Sequence, residues 1–555
     1  MSRKVITILL ALMMVLSVVM SGCSNSDTGK TTDAATTAAA TSAAESAAST
    51  SAAASSSAAG TGDLDAVTLV WYNASDAFRS DKAQVKLDVA DELNRIFQEK
   101  INATVDWKWV GWSEVAEKTA AAIQAGQQAD ILFTSMSTFP FAVWQSRNAF
   151  ADLTDLLPTY AAETYSSIPE WVWKAASVGG RIYAMPTYKD VAVNHPLHYN
   201  LTMTNELGLT ETVDSVDFSV LPDLNELFYT VKEARDAKMT EWANEPIMKL
   251  PNYSDGITLS PYIQGDEICR GVWTSIPGTT SLTGDEYANG TKAVNIFNTE
   301  DYITGMKLNT QWVTDGIAPF DQKNWDTEGA IQKSGAVFGT IGWGGITPSA
   351  HDAYEEALVQ PKTSFTYTGY PQAVMQAISA SSANPERAMM LLNLVFSDTT
   401  VSTTLRFGIE GQGWKRVTDA NGVERADFTG TYNEVPGERS ENGFYLWYHA
   451  EQGNLFSCLL PVTEPDEFYV KLAEMNDSAA VSPNLGFCFD SANVENEMAA
   501  VSATVEEYQP DIFYGMLDDV EGRIADFNEK LNANGMEKIV AEVQTQLDAW
   551  RANNG

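Results

Sequence analysis

The residues best able to do chemistry in this chain are aromatic rings set beside small polar groups. There are 15 tryptophans and 20 tyrosines among 555 residues. Aromatic faces stack on apolar C–H surfaces, while neighbouring amides, hydroxyls and charges pair with polar substituents. A pocket walled in this way holds a small polar solute without reacting with it. Tyr72, Asn73, Trp112 and Ser135 fall at the ends of expected strands. Trp343 lies in Gly342-Trp343-Gly344-Gly345, where glycines let the backbone approach a ligand closely. Glu410 and Trp414 flank Gly411-Gln412-Gly413.

Reactive constellations are harder to assemble. Of four histidines, His195 and His198 form H-x-x-H, but Pro196 intervenes and no cysteine or carboxylate stands at a zinc spacing. There is no G-x-S-x-G elbow and no P-loop. Gly408, Gly411 and Gly413 lack the strand-to-helix setting of a phosphate loop. Asp419-Ala420-Asn421-Gly422 suits a hairpin turn better than a calcium loop, because later ligand positions are missing. Carboxylates are so abundant that some pair will resemble a glycosidase dyad; separation in space decides that. No catalytic residue, cofactor or metal is expected.

The elements around the strand-end residues follow from periodicity. Val67 to Tyr72 and Ala103 to Trp109 suit strands. Val85, Val89, Leu93, Ile96 and Phe97 form a helical stripe between them. Ser113 is placed to cap a helix running to Gly126, and Asp130 to Phe133 is a third strand. Strand, helix, strand, helix, strand implies a parallel sheet with helices on its faces, whose ligands bind beyond the carboxyl ends of the strands. Near the C-terminus one helix ends at Asn534-Gly535, and Ile539, Val543, Leu547 and Trp550 stripe the last.

The N-terminus speaks to compartment. Arg3 and Lys4 precede an apolar run, Val5 to Leu16, that is short for a membrane span and suits a secretory signal. It ends in Met20-Ser21-Gly22-Cys23, which resembles the lipobox of bacterial lipoproteins. That resemblance implies removal of residues 1–22 and a lipid on Cys23, anchoring the protein to the membrane. Residues 24–62 are almost entirely Ser, Ala, Thr and Gly, suited to a disordered tether. The remaining length exceeds what one core normally serves, so two or three lobes are expected. The formal charge is -38, from 73 acidic and 35 basic residues. It argues against nucleic acid and against an anionic lipid surface. Cys269, Cys458 and Cys488 would then be left. Cys458 and Cys488 could pair, or all three stay free thiols.

Gln128 to Ser135 and Ala149 to Leu157, then Gly180-Arg181-Ile182-Tyr183-Ala184-Met185-Pro186, resemble family 1 extracellular solute-binding proteins. So do Tyr199-Asn200, Asn205 to Leu209, Lys307 to Ile317 and Ser379 to Leu392. Phe407 to Gly411 resembles a lipoprotein subgroup with a C-terminal extension of unassigned function. The resemblance implies an α/β, two-lobed clamp of the periplasmic-binding type II class, each lobe a mostly parallel sheet flanked by helices. Lobe 1 would comprise 63–186 and 373–410, lobe 2 would comprise 187–372, and 411–555 would be a helical extension packed on them. Crossings near Pro186-Thr187-Tyr188 and Tyr370-Pro371-Gln372 would form the hinge and add Tyr188, Lys189, Asp190 and Tyr370 to the binding candidates. The implied protein is a monomer on the outer face of the membrane. It captures a small polar solute, an oligosaccharide, and delivers it to ABC permease subunits. A lipid-anchored glycosidase, a peptide or amino-compound receptor of the same fold, and a surface lipoprotein without solute are the competing readings.

Overall fold

The computed structural model describes residues 64–74, 83–193, 195–250, 263–320, 325, 330–341, 346–348, 351–434, 444 and 453–554. The expectations for Cys23, the tether and Trp343 lie outside these residues.

The first sheet grows from a strand that is buried on both faces. β1 (Val67–Ala74) is followed by α1 (Ala83–Ile101), β2 (Ala103–Val110), α2 (Val115–Gln124) and β3 (Ile131–Thr134). β1 pairs in parallel with β2 from Val67↔Ala103 to Ala74↔Val110, and with β3 at Trp71↔Ile131. Side chains alternate along β1. Leu69 and Trp71 join a core with Val89, Leu93 and Phe97 of α1, while Val70 and Tyr72 join another with Val115 and Ala122 of α2. Helical crossovers impose this parallel order. Ser113 does not cap α2. The N-cap is Glu114, without a side-chain cap bond, because a turn at Gly111 starts the helix: the Glu114 and Val115 N–H groups both donate to the Gly111 carbonyl at 2.9 Å.

After β4 (Met185–Pro186) the chain enters a second lobe. Its elements are β5 (Leu197–Asn200), α3 (Leu221–Lys238), β6 (Met248–Lys249), β7 (Gly265–Cys269), β8 (Val272–Ser275), β9 (Val294–Asn295), α4 (Glu300–Thr314), β10 (Gly339–Ile341) and β11 (Glu356–Val359). They form two small sheets, ordered β11-β5-β10-β6 and β9-β8-β7. Strand direction departs from expectation here: β10 and β6 are parallel, and the other pairs are antiparallel. The reason is local in β7 and β8, which are joined by a hairpin at Arg270-Gly271, with Gly271 at φ +80°, rather than by a helix.

The chain returns through β12 (Phe365–Thr366) to β13 (Met375–Ile378), which completes the first sheet in the order β2-β1-β3-β13-β4 and runs antiparallel to both β3 and β4, so this sheet too is mixed, with two parallel and two antiparallel pairs, rather than mostly parallel. α5 (Pro385–Ser397) and α6 (Thr399–Phe407) cover the α1 face of that sheet. Asp130, fully buried, clamps the return, accepting from the Val70 N–H at 2.9 Å and the Ser382 hydroxyl at 2.5 Å. β14 (Lys415–Thr418) and β15 (Glu424–Asp427) form the expected hairpin around Gly422, and β16 (Leu460–Pro461) adds in parallel to β15. Then come α7 (Phe468–Asp477), β17 (Ala480–Val481), α8 (Glu495–Phe513), α9 (Val520–Ala533) and α10 (Met536–Asn554). The last three helices complete the lobe-2 core: Val501, Val505, Phe527, Leu531, Ile539 and Val543 pack with Phe297, Tyr302 and Trp312. Cys269, Cys458 and Cys488 are all free thiols. Among the described residues no helix is long and apolar enough to cross a membrane.

Candidate functional site

The two lobes are joined by chain segments that pair with one another. Val193 bridges to Phe365 in the antiparallel sense, and β12 pairs in parallel with β17 at Phe365↔Ala480 and Thr366↔Val481. The connection between the lobes is therefore a strip of three segments, where the sequence suggested two. The third is short and carries no periodic signal, so nothing in its composition announces it. Side chains lock the strip. Asn476, 1 % exposed, donates to the Lys189 carbonyl at 2.6 Å and accepts from the Val191 N–H at 3.0 Å, as a neighbouring strand would. The Thr366 hydroxyl donates to the Val191 carbonyl at 2.7 Å.

Four sequence candidates gather at this connection. Tyr188 is buried and stacks on Phe456 with centroids 4.9 Å apart. Burial raises its hydroxyl pKa, and the Asp477 charge adds to that. Lys189 and Asp190 form a buried ion pair at 2.6 Å. Tyr370 is buried beside them, its pKa pushed up by burial and by the Asp190 charge. A charge pair this far from water persists only with good geometry and remaining polar groups satisfied. It makes the crossing a rigid polar seam next to two aromatic rings.

A second group lies at the carboxyl ends of β1 to β3. Asn73 is fully buried, and neither atom of its amide has a hydrogen-bond partner. Leaving such a group unpaired costs about 1–3 kcal/mol. On the same face of the sheet, Gln376 accepts from the Trp71 indole at 3.0 Å while its own Nε2 is unpaired. Tyr72 lines a groove of about 560 Å³ at the β2 edge together with Trp107, Trp109 and Lys118. Trp112 is half-buried and packs edge-on against Phe133 at 5.2 Å. Ser135 is occupied locally: its hydroxyl accepts from the Thr138 N–H and donates to the Thr138 carbonyl, both at 2.8 Å, which shapes the loop after β3. The Met136 side chain after it reaches the Gly369–Tyr367 turn of the second crossing, which connects the two groups.

Glu410 and Trp414 do not join them. Trp414 is fully buried in a cluster with Phe407, Ala426 and Phe428, and its indole donates to the Gly408 carbonyl at 2.8 Å. Glu410 is on the surface of the same hairpin, 3.7 Å from Arg416. His198 contacts Glu356 at 3.0 Å, and so does His351 at 2.8 Å. Among the described residues no group of three or more His, Cys, Asp or Glu side chains is placed to hold a metal.

Sequence reasoning missed two carboxyl groups on β7. Asp266 is 1 % exposed, and burial pushes its pKa up to about 7 even though the Ser482 hydroxyl donates to it. Glu267 is also pushed up to about 7 by burial, and accepts from the Gly271 N–H and the Trp273 indole. Adjacent residues of a strand point to opposite faces, so these two do not flank a common substrate as a glycosidase pair must. Asp266 instead ties the third crossing to lobe 2. Its neighbour Asn484 donates to the Thr274 hydroxyl at 2.8 Å and the Gly290 carbonyl at 2.9 Å.

Comparison with known proteins agrees with this frame. The model of the bacterial extracellular solute-binding proteins matches residues 76–193, and that of a domain of unknown function matches 483–552. A carbohydrate ABC transporter substrate-binding protein of Streptococcus pneumoniae is 25% identical over 482 residues, covering 84% of this chain and 89% of the relative. Among solved structures, the N-glycan transport solute binding protein of Streptococcus pneumoniae superposes with a TM-score of 0.67 at 21% identity, over 89% of this chain and 100% of that one. A solute-binding protein from Bifidobacterium longum infantis, described as binding HMO, gives 0.55 at 16% identity, over 88% and 99%.

Proposed function

We propose that this chain, a bacterial extracellular solute-binding protein, captures an oligosaccharide between its lobes and hands it to the permease of an ABC importer. The observation that carries the reading is the paired three-segment hinge, with aromatic and polar groups both at the crossing and at the nearby strand ends. A solute touching both lobes binds the closed state more tightly and shifts the population toward it. Asn73, Trp112 and Tyr370 are the proposed contacts, while Tyr72 is on the opposite face of β1 from Asn73. Rings supply stacking faces, and the Asn73 amide, whose hydrogen-bonding capacity is unspent, pairs with a hydroxyl. The relatives' carbohydrate assignments support the choice of solute, as do structures of the Streptococcus pneumoniae N-glycan protein in complex with Man1GlcNAc and Man5GlcNAc. Capture breaks no bond and calls for no cofactor. Lipidation at Cys23 would hold the receptor at the outer face of the membrane, on a tether that lets it reach the permease.

Thermal unfolding of the chain from Asp63 onward, against a panel of oligosaccharides with peptides and amino acids as controls, tests this. A ligand at one hundred times its dissociation constant adds about 2.7 kcal/mol to the native state. A rise with one glycan series, with the glycan recovered intact, is the expected result. A rise with peptides alone would sink the carbohydrate reading, and consumption of the glycan would make the protein a glycosidase.

A further inference from the structure

β2 is the outermost strand of the first sheet, so one of its edges faces away from β1. The chain protects this edge at one residue and leaves it open two residues on. The Asn94 side chain of α1 caps Val105: its oxygen accepts from the Val105 N–H at 2.7 Å, and its amide donates to the Val105 carbonyl at 3.1 Å. Backbone groups alternate in direction along a strand, so those of Trp107 face outward as well. Among the described residues they find no such cap.

A groove of about 560 Å³ runs beside this open stretch. One wall is the edge of β2, with the half-buried rings of Trp107 and Trp109 at 5.7 Å between centroids. The other wall is α2, where Ala121, Ala122 and Ala125 leave room for a flat ring. Tyr72 reaches the groove from β1, on the face opposite Asn73. It is only 8 % exposed, and among the described residues its hydroxyl has no hydrogen-bond partner. A phenol so deeply buried usually has one. The two lysines at the groove are already neutralised, Lys108 by Asp106 at 2.7 Å and Lys118 by Glu114 at 3.0 Å.

These features fit an occupant that is neutral, ring-shaped and rich in hydroxyls. A pyranose has an apolar face for an indole ring, and its hydroxyls both donate to the Trp107 carbonyl and pair with the Tyr72 hydroxyl. It brings no charge to compete for the paired lysines. A peptide strand fits less well, because the Asn94 cap closes the edge at Val105 and leaves too few open backbone groups for a ladder.

We propose that this groove is an accessory saccharide site, built by lobe 1 alone and separate from the cleft between the lobes. It holds one sugar residue at the outer edge of β2 and so keeps a longer glycan near the cleft. Because lobe 2 contributes nothing to it, it works in the open and closed states alike and stands whatever solute the cleft takes.

Fluorine NMR of the chain from Asp63, labelled with fluorotryptophan, reads the site directly. Trp107 and Trp109 line the groove, their signals can be assigned by single Trp→Phe substitutions, and Trp112 reports the cleft separately. The probes are glucose, mannose, galactose and N-acetylglucosamine at millimolar concentration. At least one of them is expected to shift the Trp107 or Trp109 signal saturably. Ala125→Trp and Ala121→Trp place an indole in the groove from exposed positions, so the fold should survive with an unchanged melting temperature. Each should weaken that binding about tenfold or more, and Tyr72→Phe should weaken it less. Trp107 and Trp109 signals unmoved by all four sugars, or shifts that persist in both alanine variants, would overturn the site. Shifts produced by an extended peptide alone would overturn it too, making the groove a place for strand addition. A Trp112 signal that never moves would count against the proposed cleft contact and leave this result to be judged on Trp107 and Trp109.

Discussion

The two lobes reach stability by different routes. Lobe 1 has one five-stranded sheet with a core on each face, supplied largely by helices of residues 83–407. Lobe 2 has two small sheets, and its core takes in α8, α9 and α10 from the far end of the chain. A wide sheet can bury both faces with its own crossover helices, whereas narrow antiparallel sheets leave a flank that something else must cover. The C-terminal helices, matched to a domain of unknown function, are thus part of the lobe-2 core. One lobe of the clamp depends on residues well over a hundred positions away.

The most severe way to break this contrast is to delete residues 483–555. Lobe 2 then loses one side of its core, and limited proteolysis should cut between residues 195 and 360 while the lobe-1 sheet stays protected. A truncated chain as resistant as its parent would show that lobe 2 stands alone. Phe527→Ala is gentler. Its ring lies 5.0 Å from Phe297 and 5.4 Å from Tyr508, and its loss should cost about 3–5 kcal/mol. Hydrogen exchange should report that loss in lobe 2, and Phe97→Ala should place a comparable one in lobe 1.

The next effect depends on pH. Asp266 is raised to about 7, so the folded protein keeps a proton that the unfolded chain releases near pH 4, roughly. This group therefore favours folding most at low pH. Its contribution declines as pH rises from about 4 to about 7 and is level above that, with a slope of at most about 1.4 kcal/mol per pH unit. Asp266→Asn should reduce the slope of that part of the stability profile in denaturant titrations, leaving the share of Glu267, which is raised to about 7 as well; an unchanged slope would mean that Asp266 is ionised throughout. Smallest is Asn476→Ala, which leaves the Val191 N–H and the Lys189 carbonyl without their partner. It should cost about 1–3 kcal/mol in chemical unfolding. No measurable loss would mean that the hinge strip is held by its backbone pairing alone.

Lobe 1 was legible because its strands are apolar runs separated by amphipathic helices, and observed β1, β2 and β3 each lie within two residues of expectation. The end of α9 before Gly535 and the Ile539, Val543, Leu547 stripe were equally legible, since a glycine at φ +99° and a helical period leave local marks. Lobe 2's strand directions were not, because β6 and β9 are two residues long and tertiary pairing alone defines them. The site divided in the same way. Asn73 and Tyr370, singled out as a polar residue at a strand end and an aromatic one at a crossing, do lie there in the structure, at the end of β1 and beside the Lys189–Asp190 pair. Trp414 shows the weakness of that reasoning: glycines around a tryptophan mark a close backbone approach, and here the approach serves packing against Phe407. Arg425, Asp266 and Asn476 act through partners 35 to 287 residues away, and no local pattern announces them.

Calorimetric titration of the parent chain and of Trp112→Ala and Asn73→Ala, with the glycan that gives the largest thermal shift, tests the central claim most directly. The account predicts saturable one-site binding to the parent, with the glycan unchanged afterwards. Each substitution should weaken binding about tenfold or more, with the fold retained. Equal affinities for all three proteins would contradict it, because the solute would then be held somewhere other than the strand ends of lobe 1.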